Sequence, residues 1–273
     1  MPDFLPERGF MSTEQRVFYR EHGWLLLEGA VSEDWLTRLR TACGAIVNRT
    51  RVLDVSTPAI ELWREHSAAD PRPYQVSSPE DMEPDFWDFA RSDDMAPMAS
   101  ALLGGAVRYR YGAIRFRELG PSDLWHQDMP FDELRGEGVL AGIHLDDTRM
   151  EHPHLQVISG SHRGESFTHR DEKGEFIGEL NAEEMRRVQG LPAVDLVAGA
   201  GSIEFLDYRT LHQDMWGGKE RGGALLYAAY ATEDSVSIGE PRYPDVVSGR
   251  RGTLLPAGGS SQLDQSAVSA RGR

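Results

Sequence analysis

Cysteine is almost absent. Cys43 stands alone in 273 residues, so no internal disulfide can staple the fold. Its apolar neighbours Ala42, Ala45, Ile46 and Val47 mark it as a buried helical residue in a protein kept reduced. Long hydrophobic runs are missing too: none approaches the roughly 18 to 20 apolar residues that a bilayer span needs. No basic-then-apolar leader opens the sequence. The expectation is a cytoplasmic protein with no membrane contact. Basic charge is scarce, with 29 Lys and Arg against 44 Asp and Glu and a net charge of −15. Such a chain repels phosphate backbones and anionic lipids, which excludes nucleic acid as a partner. Internal repeats are lacking. What remains is ordinary, 40% hydrophobic and 27% charged, as in globular proteins large enough to bury one core.

Ser12, Glu14 and Gln15 supply a cap and an early acid for a helix to His22, which Gly23 ends before the apolar run Trp24 to Leu27. Ser32, Glu33 and Asp34 begin a second helix, with Trp35, Leu36, Leu39, Ala42, Ile46 and Val47 at helical spacing. From Asp54 to Asp94 prolines and acids interrupt the pattern, leaving short helical pieces at Ile60 to His66 and Phe86 to Phe89. After Leu102 the texture changes. Val107 to Phe116, Val139 to Leu145, Leu155 to Ile158, Val194 to Val197, Ser202 to Leu206 and Ala224 to Tyr230 read as short strands between Gly- and Pro-bearing turns. The fold class is therefore mainly β with flanking helices, a sandwich or jelly roll. A single domain is expected over 1–247, with a helical part at about 12–100, a β core at about 105–232 and a flexible tail at 248–273. A charged insertion at 163–191, with a capped helix between Asn181 and Gly190, is placed to lie over a pocket mouth.

On a strand, residues i and i+2 point the same way, so His-x-Asp aims an imidazole and a carboxylate at one point. A second histidine from a distant strand completes the two-histidine, one-carboxylate face that suits iron(II) and leaves open positions. The pair alone is weak: nine histidines and 44 acids in 273 residues give roughly 1.5 His-x-acid pairs by chance. Four occur: His126/Asp128, His144/Asp146, His169/Asp171 and His212/Asp214. His144/Asp146 ends an apolar strand, where polar residues bond the adjoining turn. His169/Asp171 falls in the charged insertion, where solvated residues are the rule. The other two both read His-Gln-Asp, and order separates them. Only His126/Asp128 taken first leaves a later histidine, His212, followed by Arg221 for an anionic co-substrate. Asp214 is then spare.

At these positions the chain resembles the phytanoyl-CoA dioxygenase family. The likeness runs through Phe18 to Leu27, Leu124-Trp125-His126-Gln127-Asp128, His144-Leu145-Asp146-Asp147, Leu155 to His162, Gly199 to Phe205, His212 and Arg221. The resemblance implies a double-stranded β-helix (jelly-roll, cupin-like) core, Fe(II), 2-oxoglutarate as co-substrate, and O2. It implies that His126, Asp128 and His212 ligate iron and that Arg221 clamps the distal carboxylate of 2-oxoglutarate, a bidentate match lysine cannot make. Arg115, with Arg117 two residues on, is the candidate for a second co-substrate contact. The sequence departs from the family at His152-Pro153-His154, in an interval of nine residues from His212 to Arg221 that implies a tight hairpin at Trp216 to Gly218, and at Gly142. There a family tryptophan is replaced, which is expected to enlarge the space beside the co-substrate. The implied reaction is oxidation of a small organic metabolite, hydroxylation first, with desaturation, cyclisation or epimerisation as alternatives. The substrate class it indicates is a small organic metabolite, either a natural-product intermediate of secondary metabolism or an acyl chain. The rivals are a non-redox cupin-type metal isomerase or hydrolase and a non-catalytic jelly-roll binding module. Oligomeric state and substrate identity are not encoded legibly.

Overall fold

The computed structural model describes residues 10–117, 125–132, 134–164, 166–215, 222–236, 243 and 245–248, without the side chains of 131 and 132. The segment expected as a tail, from 249 on, lies outside the described residues, as do Arg221 and the hairpin at 216–218.

Helix α1 (Thr13–His22) starts on a capping box. Ser12 Oγ accepts from the Gln15 amide at 3.2 Å, and Gln15 Oε1 accepts from the Ser12 amide at 2.7 Å, so two otherwise orphaned donors are met. It stops at Gly23, whose φ of 78° only glycine adopts without strain. Strand β1 (Trp24–Leu27) follows, then α2 (Glu33–Thr50), capped by Ser32. The irregular stretch yields β2 (Ile60–Leu62), β3 (Pro73–Ser77), α3 (Pro84–Ala90) and α4 (Ala96–Leu103). Next come β4 (Val107–Phe116), a short α5 (Met129–Asp132), β5 (Gly138–His144), β6 (His154–Val157) and α6 (Ala182–Val188). Strands β7 (Val194–Leu196), β8 (Ile203–Asp207), β9 (His212–Met215), β10 (Ala224–Thr232) and β11 (Val246–Ser248) complete the order.

Two antiparallel sheets face each other. The larger runs β1-β8-β5-β10-β4-β3-β2, with β11 also on β4, and the smaller runs β7-β6-β9. Alternation sorts the side chains of the larger sheet. Leu25, Leu27, Ala141, Ile143, Ile203, Phe205 and Ala228 point outward and pack on α2, α3 and α4 through Leu39, Ile46, Phe86, Phe89 and Met98. Trp24, Leu26, Leu140, Leu206 and Ala229 point inward against Leu155, Val157 and Leu196 of the smaller sheet. This is the expected jelly roll with helices outside, and its interior is where polar residues become informative.

One local expectation fails. Ile60 to His66 is not helical: Ile60 and Glu61 pair with Val76 and Gln75, and β3 in turn pairs with β4. Those residues serve an edge of the sheet because β4 offers unpaired backbone there, a tertiary demand that outweighs local propensity.

Candidate metal centre

The residues separated by 86 positions meet as cross-strand neighbours. His126 and His212 exchange both backbone hydrogen bonds, each at 3.0 Å, and their rings lie 4.3 Å apart. Asp128, two residues after His126, brings Oδ1 to 3.6 Å from His212 Nε2. One ligand atom from each of His126, Asp128 and His212 falls within 4.8 Å of the others. These are the three residues expected from sequence, and a set of two imidazoles and one carboxylate suits a divalent transition metal with positions left open. His144/Asp146 and His169/Asp171 do not join them.

His212 and the loop that carries the other two candidates are held from behind. His212 is buried, and its Nδ1 donates to the Thr210 carbonyl at 2.9 Å, leaving the Nε2 lone pair facing the site. Burial lowers its pKa, keeping the imidazole neutral and able to bind metal. Gln127, between the other two, is 1% exposed and fully engaged. Its amide N–H donates to His169 Nε2 at 2.9 Å, its side-chain nitrogen donates to the Arg209 carbonyl, and its Oε1 accepts from the Phe167 amide. His169 is therefore buried at 2% exposure, not solvated as its charged surroundings implied. It turns Nδ1 to the Phe167 carbonyl, and burial lowers its pKa. The insertion also packs here, with Leu180 and Val188 against Leu211 and Trp125.

A second clasp lies at Ser159 to His162. The Gly160 amide donates to the His22 carbonyl, His162 Nε2 donates to the Arg20 carbonyl, and Ser161 Oγ accepts from the Leu211 amide at 2.8 Å. This motif ties helix α1 to the residue before His212.

The triad lines a cavity of about 410 Å³ whose walls include Tyr111, Leu140, Leu155, Arg115, Tyr227 and Asp214. Arg115, expected near the co-substrate, is present in it. Its Nη1 donates to the Tyr74 hydroxyl at 2.5 Å and its guanidinium lies over the Tyr74 ring. Arg117 goes elsewhere, into a buried cluster where Nη1 donates to Thr148 Oγ1 at 3.1 Å and Nη2 stands 3.8 Å from Glu204. His144 closes that cluster, with Nδ1 at 3.0 Å from Thr148 and Nε2 at 3.1 Å from Glu204. Gly142 does not open extra space. A Cβ there would fall 2.8 Å from Glu204 Cγ and Oε1, so the glutamate fills the volume that a larger side chain would need.

The family model described as phytanoyl-CoA dioxygenase (PhyH) matches residues 19–213. The chain belongs to the phytanoyl-CoA dioxygenase family. A probable alpha-ketoglutarate-dependent hypophosphite dioxygenase of Stutzerimonas stutzeri is 28% identical over 175 residues. That match covers 61% of each protein, so the chain spans about three fifths of this curated relative's length. Among solved structures, the alpha-ketoglutarate-dependent carbocyclase SnoK from nogalamycin biosynthesis superposes with a TM-score of 0.69 at 21% identity, over 85% of this chain and 88% of that one. EctD from S. alaskensis, with 2-oxoglutarate and 5-hydroxyectoine, gives 0.69 at 18% identity, over 95% and 88%. At such identities these two attest the shared fold.

Within a phytanoyl-CoA dioxygenase framework, sequence reasoning missed two residues. His169 is the support beneath the metal-side loop. Asp214, set aside as spare, lines the cavity, and the signal for it was available, since it follows His212 at the same-face interval.

Proposed function

We propose that the chain is a non-haem iron(II)- and 2-oxoglutarate-dependent dioxygenase that oxidises a small organic metabolite, by hydroxylation in the first instance. The convergence of His126, Asp128 and His212 on one cavity carries this reading. Those three residues would hold the iron. Bound iron(II) with 2-oxoglutarate supplies oxygen activation coupled to oxidative decarboxylation, giving succinate and carbon dioxide.

The chain's own residues set the conditions for that chemistry. His212 presents a neutral Nε2 because Thr210 takes its Nδ1 proton. The Gln127 contacts fix the loop between His126 and Asp128, so the donor atoms need little reorganisation on binding metal. Leu140, Leu155 and Tyr111 give the cavity an apolar wall beside the metal candidates. Arg115, braced by Tyr74, offers a positive charge to a co-substrate carboxylate. On sequence grounds Arg221 takes the distal carboxylate. With Asp128 in the ligand set no place is left for a halide, so halogenation is disfavoured. A cavity of about 410 Å³ suits a metabolite rather than a polymer. Hypophosphite, named for the curated relative, is the inorganic alternative to an organic metabolite. A buried, unpaired thiol at Cys43 supports a cytoplasmic location.

The test uses protein with iron(II), ascorbate and 2-oxoglutarate labelled at C1. Labelled carbon dioxide is expected, and Asp128→Ala is expected to lower its release at least about 100-fold. A metal isomerase or a binding module would release none, and undiminished release from Asp128→Ala would remove Asp128 from the ligand set. Hypophosphite and a panel of metabolites, scored by succinate formation, identify the substrate.

A further inference from the structure

Among the described residues that line the cavity, three besides the histidines carry a formal charge: Asp128, Arg115 and Asp214. The proposed chemistry employs the first two. Asp214 has no part in it, yet this residue is only 6% exposed and its Oδ1 has no hydrogen-bond partner among the described residues. Position explains where it points. Residues 212 and 214 of β9 share a face, roughly 7 Å apart along the strand, so the carboxylate is aimed into the same space as the His212 ring. Gln213, between them, faces the other way and bonds Gln156. Across the ladder Asp214 is paired with Leu155, an apolar neighbour with no proton to give.

A buried carboxylate oxygen left unmet is costly, and such an atom in a native structure marks a functional role or a partner still to be bound. The co-substrate cannot do so: ionised 2-oxoglutarate carries acceptor oxygens only, and dioxygen has no proton to donate. We infer that Asp214 recognises the primary substrate, through an N–H or O–H donor that the substrate presents beside the carbon to be oxidised. Because a charge-assisted bond to a carboxylate is the stronger kind, an ammonium or amine group is favoured over an alcohol, and an anionic group is rejected. The inference rests on the oxygenase reading and adds to it the chemical class of the substrate.

The experiment uses full-length protein loaded with manganese(II) and 2-oxoglutarate, and reads the paramagnetic broadening of probe protons by NMR. The probes are n-butylammonium, n-butanol and butyrate, matched in apolar length. Butylammonium is expected to bind about tenfold or more better than butyrate, with butanol between, as one charge-assisted hydrogen bond requires. Asp214→Asn, which keeps the shape and removes the charge, is expected to bring the three within about threefold of one another. Asp214→Glu, which keeps the charge, retains the order ammonium over carboxylate. Equal or stronger binding of butyrate by the unaltered protein overturns the proposal, as does an unchanged preference in Asp214→Asn. A fall in 2-oxoglutarate affinity in Asp214→Asn, followed by calorimetry, would assign the residue to the co-substrate side and also overturn it. Failure of the protein to bind metal and 2-oxoglutarate at all gives no broadening from any probe. That result sinks the oxygenase reading itself, and is distinct from equal broadening by all three.

Discussion

A metal-binding histidine must be oriented as well as near, and here orientation comes from groups that never touch the metal site. Gln127 spends its backbone N–H on His169 and its side chain on Phe167 and Arg209, so removing His169 leaves a buried amide unmet and frees the loop between two ligand candidates. His169→Ala is expected to weaken iron(II) binding about tenfold, in keeping with other residues that support ligands from behind, as measured by competition with a chelator. An affinity equal to that of the unaltered protein would make His169 a packing residue only. The sequence hid this role because neighbouring charges made the insertion look solvated, and nothing local reveals that one imidazole turns inward. Cys43 is the opposite case, legible from its neighbours alone. It is buried and its thiol is pushed up to about 12, first by burial and then by Asp146. The native protein is expected to resist a thiol reagent such as dithionitrobenzoate for hours and to react fully once unfolded.

Elements with strong local signals were legible in the sequence, and those formed on tertiary demand were not. Helix α1 carries its own start and stop in Ser12, Gln15 and Gly23, and β4 alternates on either side of a single break at Arg110 and Tyr111. Strands β2 and β3 have no such pattern and exist because the edge of β4 needs partners. The triad was readable because the His-x-Asp interval and the order of segments are properties of the chain. The convergence of His126 with His212 is a property of strand pairing. Two glycines test the same distinction. Gly44, exposed within α2, has nothing within 4 Å of an added Cβ, so Gly44→Ala should stabilise the protein by about 0.5–1 kcal/mol. Gly23 has φ +78°, and an added Cβ would lie 2.3 Å from His162 Nδ1 and 2.5 Å from Thr210 Oγ1. Gly23→Ala should therefore cost about 2–4 kcal/mol and loosen the clasp that holds His212. Urea unfolding of both variants decides, and a similar small change in each would mean that the clasp yields freely.

At the scale of the whole molecule, two buried histidines join distant parts: His162 binds the end of α1 to the β core, and His169 binds the insertion to the metal-side loop. Burial lowers the pKa of both, so between their folded values and the ordinary histidine value of about 6.5 the unfolded chain binds more protons. Stability must then rise with pH across that window. Their contribution is complete above the unfolded value and is lost as pH falls toward the folded ones. Net charge opposes this trend, because any proton the folded chain takes up relieves a surplus of −15. That repulsion is long-range and is screened beyond roughly 8 Å at physiological salt, whereas desolvation of a buried ring is not. In about 0.15 M salt the metal-free protein is accordingly expected to melt at a lower temperature at pH 5.5 than at pH 7.5. The difference should shrink in His162→Asn and again when His169→Gln is added. A melting temperature that is flat with pH in the unaltered protein, or a slope unchanged in the double variant, would show that these two rings do not govern the response.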